Sequence, residues 1–305
     1  MKLQIFLGNL ALLTSLSFAA AVQADDRKAS VDAEFGAGFS HDSNVGIADI
    51  DNNSGSSDTA RTLEAGISSK IPLANALNLR LGYDYSDTAY SELSEFDLGL
   101  HHGTVELGFE AAGFNTALTA DRYVAYLDGD EYLAITQVTP NVSKLFGDSV
   151  YLRLAFTDAS KEYDTLTTRD ADNESLRVDA YWLIDGMDRY IAVGLQTAEE
   201  DALDDELDYD AFMSMLTLGQ TLSALPLPVE FKAQLKLENR DYRNVTESIQ
   251  ALRRDDRLRA SLSATIPLSD HFEVEGRIER SSTESNLDAA DVDKMVYGLS
   301  LSASF

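Results

Sequence analysis

From Ser30 to Phe305 the chain repeats one unit: about ten to thirteen residues of alternating apolar and polar character, closed by a turn. The last stretch is the clearest. Counting back from Phe305, the odd positions read Ala303, Leu301, Leu299, Tyr297 and Met295, and the even ones Ser304, Ser302, Ser300, Gly298 and Val296. A period of two puts one greasy and one small or polar face on a strand. The pattern recurs upstream. Leu258, Ala260, Leu262, Ala264 and Ile266 alternate with Arg259, Ser261, Ser263 and Thr265, and Leu176, Val178, Ala180, Trp182 and Ile184 with Arg177, Asp179, Tyr181 and Leu183.

These stretches predict strands at 29–41, 60–71, 76–88, 97–110, 113–126, 131–143, 147–159, 174–184, 188–198, 209–223, 228–241, 256–266, 271–281 and 294–305. Alternation slips across 97–110 and 113–143. The connections alternate between tight turns, such as Pro72–Ala74 and Ala111–Gly113, and longer acidic loops: 42–59, 89–96, 127–130, 160–173, 199–208, 242–255 and 282–293. Strands of this length exceed the five or six residues usual in soluble sheets and suit a tilted bilayer crossing. Short turns on one side and longer loops on the other are the layout of a membrane barrel. Most tyrosines, Tyr83, Tyr85, Tyr123, Tyr163, Tyr190, Tyr209 and Tyr242 among them, are expected near strand ends as an interfacial girdle. The fold expected is an all-β, closed, antiparallel transmembrane barrel of about fourteen strands (roughly 12 to 16).

The first residues carry an address. Lys2, an apolar run from Leu3 to Val22 and the small residues of Val22-Gln23-Ala24 predict a secretory signal peptide over 1–24, removed after Ala24, and one barrel domain over 25–305. With no cysteine there is neither a disulfide frame nor a thiolate metal site. Acidic residues number 52 against 24 basic, a net charge of −28, which argues against a nucleic-acid partner. The hydrophobic share of 44% is too high for a disordered chain, so the acid must decorate an ordered object.

The terminal residues Tyr297-Gly298-Leu299-Ser300-Leu301-Ser302-Ala303-Ser304-Phe305 resemble the C-terminal signal of bacterial outer-membrane proteins. That resemblance implies recognition by the barrel assembly machinery through Tyr297, Leu299, Leu301, Ala303 and Phe305, and residence among outer-membrane lipid and lipopolysaccharide. His41-Asp42-Ser43-Asn44-Val45, Arg169-Asp170-Ala171-Asp172-Asn173 and Ser285-Asn286-Leu287 are similar to segments in the barrel of the surface lipoprotein assembly modifier family. This second resemblance covers nearly all of 29–305 and not that family's tetratricopeptide-like domain. It implies export of surface lipoproteins with a separate periplasmic partner.

No catalytic signature or cofactor motif emerges, and an enzyme is not expected. His101 and His102 have no serine or aspartate pattern to mark a partner, His271 follows a tight turn beside Asp270, and all three suit girdle or turn positions. Asp49-Ile50-Asp51-Asn52-Asn53 begins like a calcium loop, but Ser54 and Ala60 stand where Gly and Glu are required. Asp170, Asp172 and Asn173, or Asp204, Asp205 and Glu206, remain weak candidates to gather divalent cations. The face carrying Glu230, Lys232, Lys236, Glu238, Arg257, Arg259, Glu273, Glu275, Arg277 and Glu279 is expected to line a wet lumen, five acids against five bases. Three functions fit: a passive porin-like channel with acidic outer loops, an export barrel, or a structural or adhesive barrel. No long loop is rich enough in apolar residues to suggest a plug, which favours the channel.

Overall fold

The computed structural model describes residues 29–223 and 226–305. The expected cleavage site after Ala24 lies outside the described residues. Strands β1 (Ser30–Asp42), β4 (Asp58–Ala74), β5 (Leu77–Tyr90), β6 (Leu98–Ala111), β7 (Phe114–Leu127), β8 (Asp130–Phe146) and β9 (Val150–Tyr163) form one half of a wall. The other half is β10 (Ala171–Leu183), β11 (Arg189–Ala202), β12 (Tyr209–Leu222), β13 (Val229–Thr246), β14 (Ala251–Pro267), β15 (Phe272–Ser285) and β16 (Val292–Ser304). Each of these fourteen strands pairs antiparallel with its neighbours, and β1 pairs with both β4 and β16, so the sheet is a closed barrel without an edge. A separate two-stranded hairpin, β2 (Gly46–Ile47) and β3 (Asn52–Asn53), lies in the first long loop.

All fourteen expected strands are present, and several run further than the alternation indicated. β13 continues to Thr246 and β14 starts at Ala251, so the loop expected over 242–255 shrinks to four residues. The outer ends escaped notice because they carry charge on both faces. Asp241 and Arg254 pair on the outside at 2.7 Å while Arg253 and Asp255 face in. At β7 and β8 the connection is the dipeptide Asp128-Gly129, both residues at positive φ, a hairpin turn that suits Asp and Gly.

The outer surface is apolar. Phe39 is 77% exposed, Leu299 60% and Trp182 58%, and comparable side chains circle the barrel. Water penalises such a belt, and hydrocarbon accepts it. The closure removes every unpaired strand edge, which a bilayer also demands. The barrel is a transmembrane one.

The tyrosines correct the expected girdle. Tyr83, Tyr85 and Tyr126 face out around His101. Tyr163, Tyr190, Tyr209 and Tyr242 are buried on the inner face, and the last two cover cations. The Arg240 guanidinium lies 4.5 Å from the Tyr209 ring and that of Arg253 4.6 Å from Tyr242.

Candidate functional site: a loop across the lumen

The first long loop, 43–57, turns into the barrel. Val45 is wholly buried and fastens the loop's base through backbone bonds, accepting from Ser54 N and donating to Ser56 O, both 2.9 Å. Beyond it β2 leads into a single 3-10 turn, Ala48–Ile50, that ends at Asp51 in the left-handed region (φ 53°). Aspartate tolerates that conformation better than most residues. Its carboxylate is thereby presented at the tip.

Three attachments hold the tip. Arg253 on β14 donates from Nη1 and Nη2 to the two Asp51 carboxylate oxygens, at 2.9 and 2.8 Å. Arg169, just before β10, donates to Asp51 Oδ2 at 3.2 Å and to the Asp49 carbonyl at 2.8 Å. Ile50 packs on an inward apolar patch that includes Leu98, Leu100, Leu133, Ile135 and Tyr163. In the ring order β10 stands seven strands from β1 in either direction, so the loop reaches the far wall. Burial pushes the Asp51 carboxyl up, but the hydrogen bonds and charge of Arg253, then of Arg169, outweigh it and hold Asp51 below its ordinary value.

The slipped alternation over 97–143 has its cause here. Leu98, Leu100, Leu133 and Ile135 occupy inner positions that are polar elsewhere, because they receive Ile50. The expectation of no plug-forming loop is corrected too. One isoleucine and a bidentate carboxylate suffice, since the wall supplies the rest of the contact.

Behind the loop stands a charged inner wall. Arg253 also donates to Asp255, a fully buried residue that takes a further bond from Ser285 at 2.7 Å. Glu238 is gripped by Arg240 at 2.6 Å and Lys236 at 2.8 Å, and Glu279 by Arg259 at 3.4 Å and by Arg277. Thr265 donates to Glu275 and Ser302 to Glu273, both at 3.2 Å. In the strand register Arg257 sits between Glu238 and Thr283, Lys232 beside Ser263, and Glu230 beside Thr265. The ten charges singled out from the sequence thus lie on one continuous face, opposite the exposed apolar belt.

Other candidates sit apart. Asp170 caps the Tyr163 amide at 2.6 Å, Asp172 points outward, and Asn173 points inward to Glu200 at 3.1 Å. Strand alternation separates them. Asp204 caps Glu206 N at 3.2 Å, Glu206 accepts from Glu247 N at 3.0 Å, and Asp205 lies between them in a short 3-10 turn. Among the described residues no three His, Asp or Glu side chains converge as a metal would require. His101 lies on the outside, its Nδ1 2.7 Å from Tyr83 Oη. His102, expected in the girdle, is inward instead, between Asp121 at 2.9 Å and Asp84 at 3.3 Å, with its ring stacked on Tyr123. His271 stacks on Phe305 at the other end.

Sequence reasoning missed Ile50, Asp51, Arg169, Arg253 and Asp255. The available signal was Ile50 itself, an apolar residue set between Asp49 and Asp51, together with an unexplained apolar inner face.

The final strand closes the barrel through Tyr297, Leu299, Leu301 and Ala303, which pair with His41, Phe39, Ala37 and Phe35. Phe305 exchanges two backbone bonds with Ala33, at 2.9 and 3.0 Å.

No family model matches this sequence, and no curated protein sequence is similar to it. Solved structures are similar in shape. An anion-selective porin from Comamonas acidovorans superposes with a TM-score of 0.56 at 10% identity, covering 91% of this chain and 99% of the porin. OmpT, expressed in the outer membrane of Vibrio cholerae, gives a TM-score of 0.56 at 10% identity, covering 93% and 99%. A form of the same OmpT lacking its loop L8 gives 0.54 at 13% identity, covering 91% and 99%. By fold, the chain is an outer-membrane β-barrel, closed by fourteen strands.

Proposed function

We propose that this protein is a passive channel of a bacterial outer membrane for small hydrophilic solutes, with loop 43–57 as its constriction. The observation that carries this reading is the loop pinned across the lumen, between an apolar patch on one wall and a charged wall on the other. Space remains on both of its sides, and Lys236 and Glu238 border both spaces. A barrel of about eight strands is filled by its own side chains and one of about sixteen holds an aqueous channel; fourteen strands lie near the open end of that range. A loop that narrows such a lumen sets a size limit without sealing it. Fixed charges of both signs beside the loop then act on each passing solute.

Assembly in this reading uses the outer-membrane barrel machinery, which takes Phe305 as its end signal, and the acidic loops face lipopolysaccharide and its divalent cations. Export of lipoproteins is the poorer reading, because a polypeptide would have to displace a loop held at three points. The test is swelling of liposomes that contain the purified barrel. Entry of small sugars, slowing steeply with solute size, is expected. Liposomes as tight as protein-free ones would overturn the channel and leave an adhesive or structural role.

A further inference from the structure

The cavity under the constriction loop is bordered by the cations Lys236, Arg257, Arg259 and Lys294 and by only two carboxylates, Asp51 and Glu238. Both carboxylates are committed, Asp51 to Arg253 and Arg169, and Glu238 to Arg240 and Lys236. Lys294 is committed to Asp42 at 2.7 Å. Arg257 is not fully used. Its Nη2 donates to Asp255 at 3.1 Å, whereas Nε and Nη1 are buried with no acceptor among the described residues, on a side chain 7% exposed. Buried guanidinium N–H groups without acceptors are costly, and their usual complement is an oxyanion.

The neighbouring arginine shows which one. Arg253 lies on the same inner face and shares Asp255 with Arg257. It takes the Asp51 carboxylate through two hydrogen bonds, so this wall already binds one carboxylate that arrives from elsewhere in the chain. The hydroxyl residues Ser281 and Thr283 border the same cavity beside Arg259 and Arg257. Asp255 and Glu238 close by disfavour a second negative charge, so a monoanion fits better than phosphate. Resting on the channel reading, we propose that this cavity is a binding site for small monocarboxylate solutes, with the Arg257 guanidinium as principal ligand and Arg259, Ser281 and Thr283 as supporting groups. The Arg257 side chain forms part of the cavity wall, and contact of its buried Nε and Nη1 with the solute requires a turn about its last torsions.

The experiment uses the whole barrel with benzoate as probe and benzyl alcohol as its uncharged counterpart. In planar bilayers at 0.15 M KCl, benzoate is expected to reduce the current saturably while benzyl alcohol does not. Arg257→Gln is expected to raise the half-blocking concentration about tenfold or more, the scale of one charge-assisted contact. Arg257→Lys is expected to fall between, and Arg254→Gln, on the outer surface, to behave like the wild type. A heat-dependent shift in gel mobility establishes that each variant forms the barrel. Equal block in Arg257→Gln, or no block of a conducting wild type, overturns the site and leaves the channel standing. If the wild type does not conduct, calorimetry of the detergent-solubilised barrel decides. Benzoate heat that Arg257→Gln abolishes supports the site although the channel reading fails; no heat overturns both.

Discussion

Asp51 and Arg253 stand 202 residues apart in the chain and meet inside the barrel through two hydrogen bonds of 2.9 and 2.8 Å. The pair ties the tip of a loop that leaves β1 to the inner face of β14. Arg253 is buried, its side chain 3% exposed, and Asp51 is nearly so at 11%, so loss of the Asp51 charge leaves Arg253 with Asp255 alone and takes the carboxylate from Arg169.

Asp51→Asn is therefore expected to loosen the loop by about 2 kcal/mol, the scale of hydrogen bonds to a charged group, while the barrel stays closed. The native chain has no cysteine, so Ala48→Cys provides a unique label inside the loop. Its reaction with a maleimide should quicken at least about tenfold when Asp51→Asn is added, corresponding to more than about 1.4 kcal/mol. An unchanged rate would mean that Ile50 and the backbone hold the loop alone.

Acid should release the same latch. The docked Asp51 titrates below its ordinary 3.8. Its contribution is thus complete above about that pH and fades as pH falls through the lower, docked value. Between pH 5 and 7 the current through one barrel should be equally steady, and fluctuations should begin only under about pH 4. Flicker that grows between pH 7 and 5 would point to a different group.

The acidic rim offers an electrostatic prediction. Charges there raise the cation concentration within a Debye length, about 10 Å at 0.1 M salt. A modest cation preference is expected in dilute KCl, fading as salt rises. Replacing Asp204, Asp205 and Glu206 by their amides should weaken it and leave the 1 M KCl conductance unchanged. A preference that survives 1 M salt would place its origin deeper in the lumen, where charge is less screened.

Phe305 joins the last strand to the first and stacks on His271. Its side chain is 62% exposed, so truncation to Ala should cost the finished barrel no more than about 2 kcal/mol of transfer energy. The yield of membrane-inserted protein should fall much further if Phe305 is also the assembly signal. Insertion at wild-type levels would remove that role.

The strands were legible because the lipid face must be apolar at every second position, as from Leu258 to Ile266. Their outer ends were not, since beyond the hydrocarbon Asp241 and Arg254 face out as freely as Arg253 and Asp255 face in. The inner charges followed from the same alternation, Arg257 and Arg259 opposite Leu258 and Ala260. The loop was illegible for another reason. Asp49-Ile50-Asp51 reads as solvated acid until Arg169 and Arg253 are brought to it, and nothing local in the sequence announces partners 118 and 202 residues away. The inward Leu98, Leu100, Leu133 and Ile135 announced only that something apolar had to come.

The most direct test is the single-channel conductance of the wild type beside a variant in which residues 46–53 are replaced by a short Gly-Ser link. Steady steps from the wild type, and clearly larger steps from the shortened variant, are the predicted result. Equal steps from two properly closed barrels would contradict the loop as the constriction, and silence from both would contradict the channel itself.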